Sequence, residues 1–133
     1  MVGQWQTEEG SPVRVNGSCH WSLERNFLLR DIRLSTEAGE TMTITQRIGW
    51  DPLSEQIRVW SFDSAGGHSD GVWRREGNRW TVSTRGVTAE GNVAISRNTY
   101  IRVNRDTIRV ESHSVVDDED VPDQKLRLVR KLK

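Results

Sequence analysis

The sequence predicts an all-β fold, an antiparallel up-and-down meander β-barrel of about eight to ten strands with little or no helix. Three observations lead to this prediction. Apolar and polar residues alternate along most of the 133 residues. Gly, Asn, Asp or Pro interrupts that alternation about every ten residues. No stretch of useful length has a helical period, and the β-branched residues Thr and Val recur throughout.

The first half of the chain predicts five strands, at residues 3–7, 13–23, 27–36, 41–50 and 56–64. Each contains alternating apolar residues, and the segments between them carry turn chemistry. Glu24-Arg25-Asn26 and Glu37-Ala38-Gly39-Glu40 contain residues that tolerate positive φ, and Asp51-Pro52-Leu53-Ser54 places Pro at the second position of a type I turn. These short connectors indicate that each strand pairs with the next one.

The second half predicts five more strands, at residues 68–75, 79–87, 92–103, 107–115 and 125–132. Turns are predicted at Ala65-Gly66-Gly67, Glu76-Gly77-Asn78, Ala89-Glu90-Gly91 and Asn104-Arg105-Asp106. The acidic segment 117–123, which contains Pro122, is interpreted as a solvated loop, because the ligand spacing of a calcium loop is missing.

Composition limits the function. Lys plus Arg equals Asp plus Glu at 19 each, so the formal net charge is zero and no nucleic-acid partner is expected. The mean hydropathy is −0.68, and no apolar run approaches the roughly 20 residues that a membrane helix needs, so no membrane insertion is expected. Residues 1–10 lack the features of a signal peptide, and the compartment is not predicted. The length is that of one domain, residues 1–133.

Period-two alternation assigns faces to the strands. On six strands one face is apolar but turns polar in its middle or at its far end: Phe27, Leu29 and Asp31; Met42, Ile44, Gln46, Ile48 and Trp50; Ile57, Val59, Ser61 and Asp63; Trp80, Val82, Thr84 and Gly86; Val93, Ile95, Arg97, Thr99, Ile101 and Val103; and Ile108, Val110, Ser112 and Ser114. We interpret these faces as the barrel interior. On residues 56–64 the alternative face, with Trp60 and Phe62, is equally apolar. A bulge at Gly17, Gly71 or Gly86 would also reverse an assignment.

Arg97 is the most informative polar residue on these faces. A buried guanidinium needs a carboxylate, because an unpaired buried charge is strongly destabilising, and Asp31 and Asp63 lie on comparable faces. Gln46, together with the hydroxyl groups of Ser61, Thr84 and Ser112, would complete a hydrogen-bonded lining. The residues leave two interpretations open, a structural polar network that fixes the strand register or the lining of a ligand pocket.

Residues that commonly carry catalysis or bind metals are not gathered by their spacing. Cys19 is the single cysteine, so no internal disulfide can form, and we expect it to be a small buried side chain. His20, His68 and His113 do not have the spacing of a zinc site, and no residue is marked as a haem ligand. Neither a nucleophile elbow nor a Gly-rich phosphate loop is present. We therefore predict no catalytic residue, no metal site and no cofactor.

The opening Gly3-Gln4-Trp5, a Gly-x-Trp on the first strand followed by a helix-poor meander, resembles the calycin superfamily of lipocalins, fatty-acid-binding proteins and avidins. The resemblance implies a lipocalin-like barrel. The chain departs from that pattern by lacking the helix pair of fatty-acid-binding proteins, the helix that follows the lipocalin barrel and the biotin-contact pattern of avidins.

A second resemblance covers most of the chain. The segments 45–52, 56–58, 60–64 and 71–73, with Trp80 and residues 98–100, look like an uncharacterised bacterial domain that often follows a SnoaL-like (NTF2-like) domain in longer, frequently exported proteins. This resemblance also implies a lipocalin-like barrel, but it implies no activity and no catalytic residue.

The leading hypothesis is non-enzymatic binding of a small, largely apolar ligand inside the barrel. Six Trp residues against one Tyr and two Phe favour indole rings as cavity walls. The predicted ligand-binding residues are Gln46, Trp50, Trp60, Trp73, Trp80, Arg97, Tyr100, Asp31 and Asp63. One alternative is an accessory domain with a packed interior that self-associates, for instance as a homodimer, or docks to a partner domain. A less favoured one is a small isomerase or hydrolase that uses Asp31 or Asp63 as base.

Overall fold

In the computed structural model, which describes residues 1–131, the chain forms a closed barrel of ten antiparallel strands with no helix in that range. The strands are β1 (Gly3–Thr7), β2 (Val13–Trp21), β3 (Phe27–Thr36), β4 (Thr41–Asp51), β5 (Gln56–Asp63), β6 (His68–Glu76), β7 (Arg79–Val87), β8 (Val93–Asn104), β9 (Thr107–Val116) and β10 (Glu119–Arg130). The predicted all-β, up-and-down meander is confirmed, with ten strands.

The barrel closes where β1 pairs with both β2 and β10. At this seam Trp5 is buried, and its indole N–H donates to the Met1 carbonyl oxygen at 2.9 Å. The guanidinium carbon of Arg130 lies 4.5 Å from the centre of a Trp5 ring, and Arg130 Nη1 donates to the Val2 carbonyl oxygen at 2.8 Å. A cation over an indole face stabilises the short first strand against its C-terminal partner.

Because the strands run up and down in chain order, the turns alternate between the two ends of the barrel. We call the end that carries the turns after β1, β3, β5, β7 and β9 the first end, and the opposite one the second end. The interior is filled by one continuous apolar cluster: Trp5, Val15, Ile32, Ile48, Val59, Trp73, Val82, Tyr100, Ile108, Val110 and Leu128. On β7, β8 and β9 the inward residues change to Thr, Ser and Asn towards the first end.

The acidic segment 117–123 is not a loop, and that prediction was wrong. Asp117 and Asp118, both with positive φ, form the turn, and β10 begins at Glu119. The register shifts between Val121 and Gln124, which accommodates Pro122 within the strand. The last predicted strand, 125–132, reached position 132, which lies outside the described residues.

Two of the face assignments were also wrong. On β3 the inward side chains include Arg30 and Ile32, which are buried, whereas Asp31 is exposed. On β8 Tyr100 and Asn98 point inward, and Arg97 is exposed. Both strands carry apolar residues on each face, so alternation alone does not define the inner one. The proposed bulge sites at glycine are not bulges, because the register shifts lie at 102/104 and 121/124.

Candidate functional site

The most unusual interior residue is Arg30, in the middle of β3. Its side chain points into the barrel between those of Leu28 and Ile32, and the residue is only 8% exposed. Among residues 1–131 no carboxylate oxygen lies within 4.0 Å of its guanidinium. A buried charge is strongly destabilising unless hydrogen bonds or an opposite charge compensate it.

The partners of Arg30 are neutral. Nη1 donates to the Tyr100 hydroxyl oxygen at 2.9 Å and, at a longer 3.4 Å, to Gln46 Oε1. Gln46 Nε2 in turn donates to Ser61 Oγ at 3.4 Å. The interior orientation predicted for Gln46 is therefore confirmed. The residues form a polar cluster across β3, β4, β5 and β8.

An aromatic wall completes this cluster. The ring of Tyr100 stacks on Trp73 with centroids 5.3 Å apart, and Trp80 meets Trp73 edge-on at 6.2 Å. The Arg30 guanidinium carbon lies 5.0 Å from the centre of the Tyr100 ring. The indole N–H of Trp73 is buried and has no hydrogen-bond partner among the described residues. The cluster thus has donors in excess, since the Arg30 guanidinium and the Trp73 indole N–H can only donate and the Trp73 N–H finds no acceptor among the described residues.

A cavity of about 10 Å³ adjoins Arg30 on the side of β1 and β2. Its walls include Trp5, Val15, Cys19 and Leu128. About 10–15 Å³ measured in this way is what one water molecule needs. As it stands, the cavity therefore admits a water-sized species beside the guanidinium and no organic molecule.

Cys19 lines the same cavity and is 3% exposed, as expected for a small buried side chain. Burial raises the pKa of its thiol, and the nearby positive charge of Arg30 opposes that shift. The thiol therefore stays protonated at neutral pH and behaves as an apolar wall.

The other predicted binding residues are scattered. Trp73, Trp80 and Tyr100 face inward and lie together, as described above. Trp60 lies on the outer face of β5, where it pairs in register with Arg47 and Asp70. Alternation along β4 places Trp50 on the inward face of the strand, but it is 57% exposed at the second end of the barrel.

The two predicted carboxylates are not part of the interior cluster. Asp31 is exposed on the outer face of β3. Asp63 ends β5, where its Oδ1 accepts from the backbone N–H groups of Ala65 and Gly67 at 2.9 and 3.0 Å. That geometry is an Asx turn, which fixes the connection to β6. The two carboxylates therefore do not share a cavity in which they could work as acid and base.

Arg97 lies on the outside of the barrel, so its predicted inward orientation was wrong. It pairs in register with Ser83 on β7 and His113 on β9, and it is exposed. The residue that sequence reasoning missed is Arg30. One signal was available: Leu28, Ile32 and Leu34 share its face, so a charged residue interrupts an otherwise apolar row.

His113 is an exposed residue in an ion-pair cluster on the outer face of β9. Its Nδ1 lies 2.7 Å from Asp123 Oδ1, and its Nε2 lies 3.9 Å from Asp120 Oδ1. The hydrogen bond and charge of Asp123 raise the pKa of His113 above 6.5. A raised pKa in the folded state contributes stability that is complete below pH 6.5 and disappears as the pH rises through the folded-state pKa.

We expect Asp123→Asn to lower the His113 titration midpoint towards 6.5, because the substitution removes the charge and leaves only an amide beside the ring. An NMR titration of the imidazole C–H signals measures this midpoint. Asp31→Asn, on β3, is the matched loss of one carboxylate and should leave it unchanged. Equal midpoints in wild type and Asp123→Asn would show that the contact does not stabilise the imidazolium.

Comparison with known protein families and with curated proteins finds no match for this sequence. Within residues 1–131 there is no group of three or more His, Cys, Asp or Glu side chains that could hold a metal ion. No helix in the same range is long and apolar enough to span a membrane.

Proposed function

We propose that this barrel is a non-enzymatic binding protein for a small, largely apolar molecule that carries one anionic group. The observation that carries the proposal is the excess of donors around Arg30. Its guanidinium is buried without a carboxylate within residues 1–131, and the neighbouring Trp73 indole N–H has no acceptor there. A ligand carboxylate would accept from the guanidinium in a charge-assisted hydrogen bond and would neutralise the buried charge.

The apolar part of the ligand would contact the aromatic wall of Trp73, Trp80 and Tyr100. Because the cavity beside Arg30 is water-sized, binding requires that an interior side chain moves. Gln46 is the candidate, since both of its hydrogen bonds are long at 3.4 Å and the residue is only half-buried. Rotation of Gln46 would free the Arg30 guanidinium on the side that faces β4, where the two residues pair in register.

Tryptophan fluorescence tests this proposal, because three indoles, those of Trp5, Trp73 and Trp80, face the interior. The probes are dodecanoate, retinoate and phenylacetate, with dodecanol as the uncharged counterpart of the first. We expect a saturable change with at least one acid, and weaker binding of dodecanol than of dodecanoate. No response to any acid, or equal affinity for dodecanol and dodecanoate, would count against an anion-binding interior.

The small interior volume favours a second candidate, an accessory domain with a packed interior that associates with a copy of itself. Ligand pockets of about 300–1,000 Å³ are typical, far above the cavity beside Arg30. The second end of the barrel also exposes an apolar rim: Trp21 at 50%, Leu23 at 94%, Trp50 at 57% and Leu53 at 93%. Exposed apolar patches of this kind mark association surfaces.

Analytical ultracentrifugation of the chain distinguishes this second candidate from the first. A dimer that dissociates in the double variant Trp21→Ser and Trp50→Ser would support self-association through the rim. A monomer at all concentrations would contradict self-association through the rim. Neither outcome changes the response to acids that we expect from the interior. The two experiments therefore test the two candidate functions independently.

The proposal also includes the family assignment, a lipocalin-like barrel related to the domain that follows SnoaL-like domains. What supports the lipocalin-like part of this assignment is the position of Gly3-Gln4-Trp5 on the first strand, with Trp5 buried at the barrel seam. An experimental structure with a ligand bound inside the barrel would support the lipocalin-like function as well as the shape.

A further inference from the structure

A groove of about 380 Å³ runs over the outer wall of the barrel, where β6, β7 and β8 lie side by side. Three arginines line it, Arg74 on β6, Arg79 on β7 and Arg97 on β8, and we call it the outer groove. Its volume falls within the range of about 300–1,000 Å³ that small-molecule sites occupy. It is separate from the interior cluster, because these side chains point away from the barrel axis.

The strand register explains why a flat sheet surface forms a groove here. Thr81 on the central strand pairs with Arg74, and Ser83 pairs with Arg97. Thr81 and Ser83 are short, so they form a hydroxyl-bearing floor along β7, between long side chains on the strands at either side. Neighbouring strands are about 4.8 Å apart, so two guanidinium groups on β6 and β8 can reach one ligand over that floor. Arg79 closes the groove towards the second end.

The groove carries more positive than negative charge. Among residues 1–131, no carboxylate oxygen lies within 4.0 Å of the charged nitrogens of Arg74, Arg79 or Arg97, and Glu76 is the single acidic residue in the groove lining. Four arginines outside the groove do have a carboxylate within this distance: Arg58 with Asp70 at 2.6 Å, Arg109 with Glu111 at 3.8 Å, Arg127 with Glu8 at 3.3 Å and Arg130 with Asp106 at 3.3 Å. In a chain of zero formal net charge, this groove concentrates positive charge at one place.

We propose that the outer groove binds a small organic phosphate or sulfate ester. Guanidinium groups match the geometry of tetrahedral oxyanions and donate two hydrogen bonds to one anion, and the hydroxyls of Thr81 and Ser83 add further donors. Val72 on β6 supplies an apolar contact for the organic part of the ester. The site does not depend on the proposed interior function.

Titration of the full chain with phenyl phosphate, phenyl sulfate and inorganic phosphate, followed by backbone and arginine N–H signals in NMR spectra, tests this site. We expect saturable shifts confined to β6, β7 and β8. Arg97→Gln and Arg79→Gln should each weaken the binding of phenyl phosphate about tenfold, the loss of one charge-assisted hydrogen bond. The control Arg14→Gln removes the same charge from an exposed position on β2 and should leave the affinity unchanged.

The substituted residues are exposed, so the variants should fold, and their NMR spectra verify this in the same experiment. Shifts spread over the whole surface, or equal weakening by Arg14→Gln, would overturn the proposal. Inorganic phosphate that binds as tightly as phenyl phosphate would identify the free anion as ligand and overturn the ester assignment. Tighter binding of a short oligonucleotide, with a steep dependence on salt, would replace the small ester by a nucleic-acid backbone.

Discussion

Gly71→Ala should lower the free energy of unfolding by about 3 kcal/mol or more. This is the largest effect that we expect from a substitution that only adds a methyl group and removes no contact. Gly71 lies in the middle of β6, between Val59 and Thr84 in register. A Cβ atom at this position would overlap the Ser83 carbonyl oxygen and approach the Thr84 Cα to 2.7 Å. These are backbone atoms of the paired strand, so β7 would have to move away from β6. Thermal and urea unfolding followed by circular dichroism measure the loss.

Gly17→Ala is the matched control for that experiment. Gly17 also lies on the inward parity of its strand, β2, but a Cβ atom there would meet the Asp31 carbonyl oxygen at an ordinary 3.5 Å. The expected change is within about 0.5 kcal/mol and can be stabilising, because Ala has less freedom than Gly in the unfolded chain. If the two alanine variants unfold at the same urea concentration, close approach of β6 and β7 does not explain Gly71.

The architecture could be predicted because its signals are local. Turn residues fix where strands end, and short connections fix which strands pair, so the meander follows without knowledge of any long-range contact. The single misplaced element, β10, contains Pro122 and a run of acidic residues, both unfavourable in a regular strand. Pairing of Val121 with Ser114 and of Gln124 with Ser112, on either side of an irregularity, outweighed that local preference.

The site could not be predicted in the same way, because tertiary contacts decide which face of a strand points into the barrel. On β8, Val93 and Ile95 look like interior residues yet are 40% and 47% exposed, while Ser96 and Asn98 on the opposite face point inward. Small polar side chains are tolerated there because they pair with one another across strands. Ser112 Oγ donates to Asn98 Oδ1 at 2.6 Å, and Ser96 and Ser114 share a hydrogen bond at 3.1 Å. No pattern within a single strand reveals such partners.

For the interior site, the sharpest test is Arg30→Met, which should weaken the binding of the preferred acid about 100-fold, or about 3 kcal/mol. The thioether side chain is shorter, unbranched and apolar, and it cannot donate to a carboxylate. The same variant should keep the free energy of unfolding within about 1 kcal/mol of wild type, because replacing an uncompensated buried charge by an apolar side chain is often neutral or stabilising. Fluorescence titration and urea unfolding of one preparation measure the two quantities.

Arg14→Met is the control for this substitution, because it makes the same chemical change at an exposed position on β2, outside both proposed sites. It should leave both the interior affinity and the stability unchanged, since the guanidinium of Arg14 is exposed on the outside of the barrel. If Arg30→Met instead unfolds the chain by several kcal/mol, the contacts of Arg30 with Tyr100 and Gln46 are a structural network that fixes the strand register. If acids bind the Arg30→Met protein as tightly as wild type, Arg30 is not the anchor. Loss of binding in a stable Arg30→Met protein, with Arg14→Met unaffected, is the combination that only an interior anion site produces.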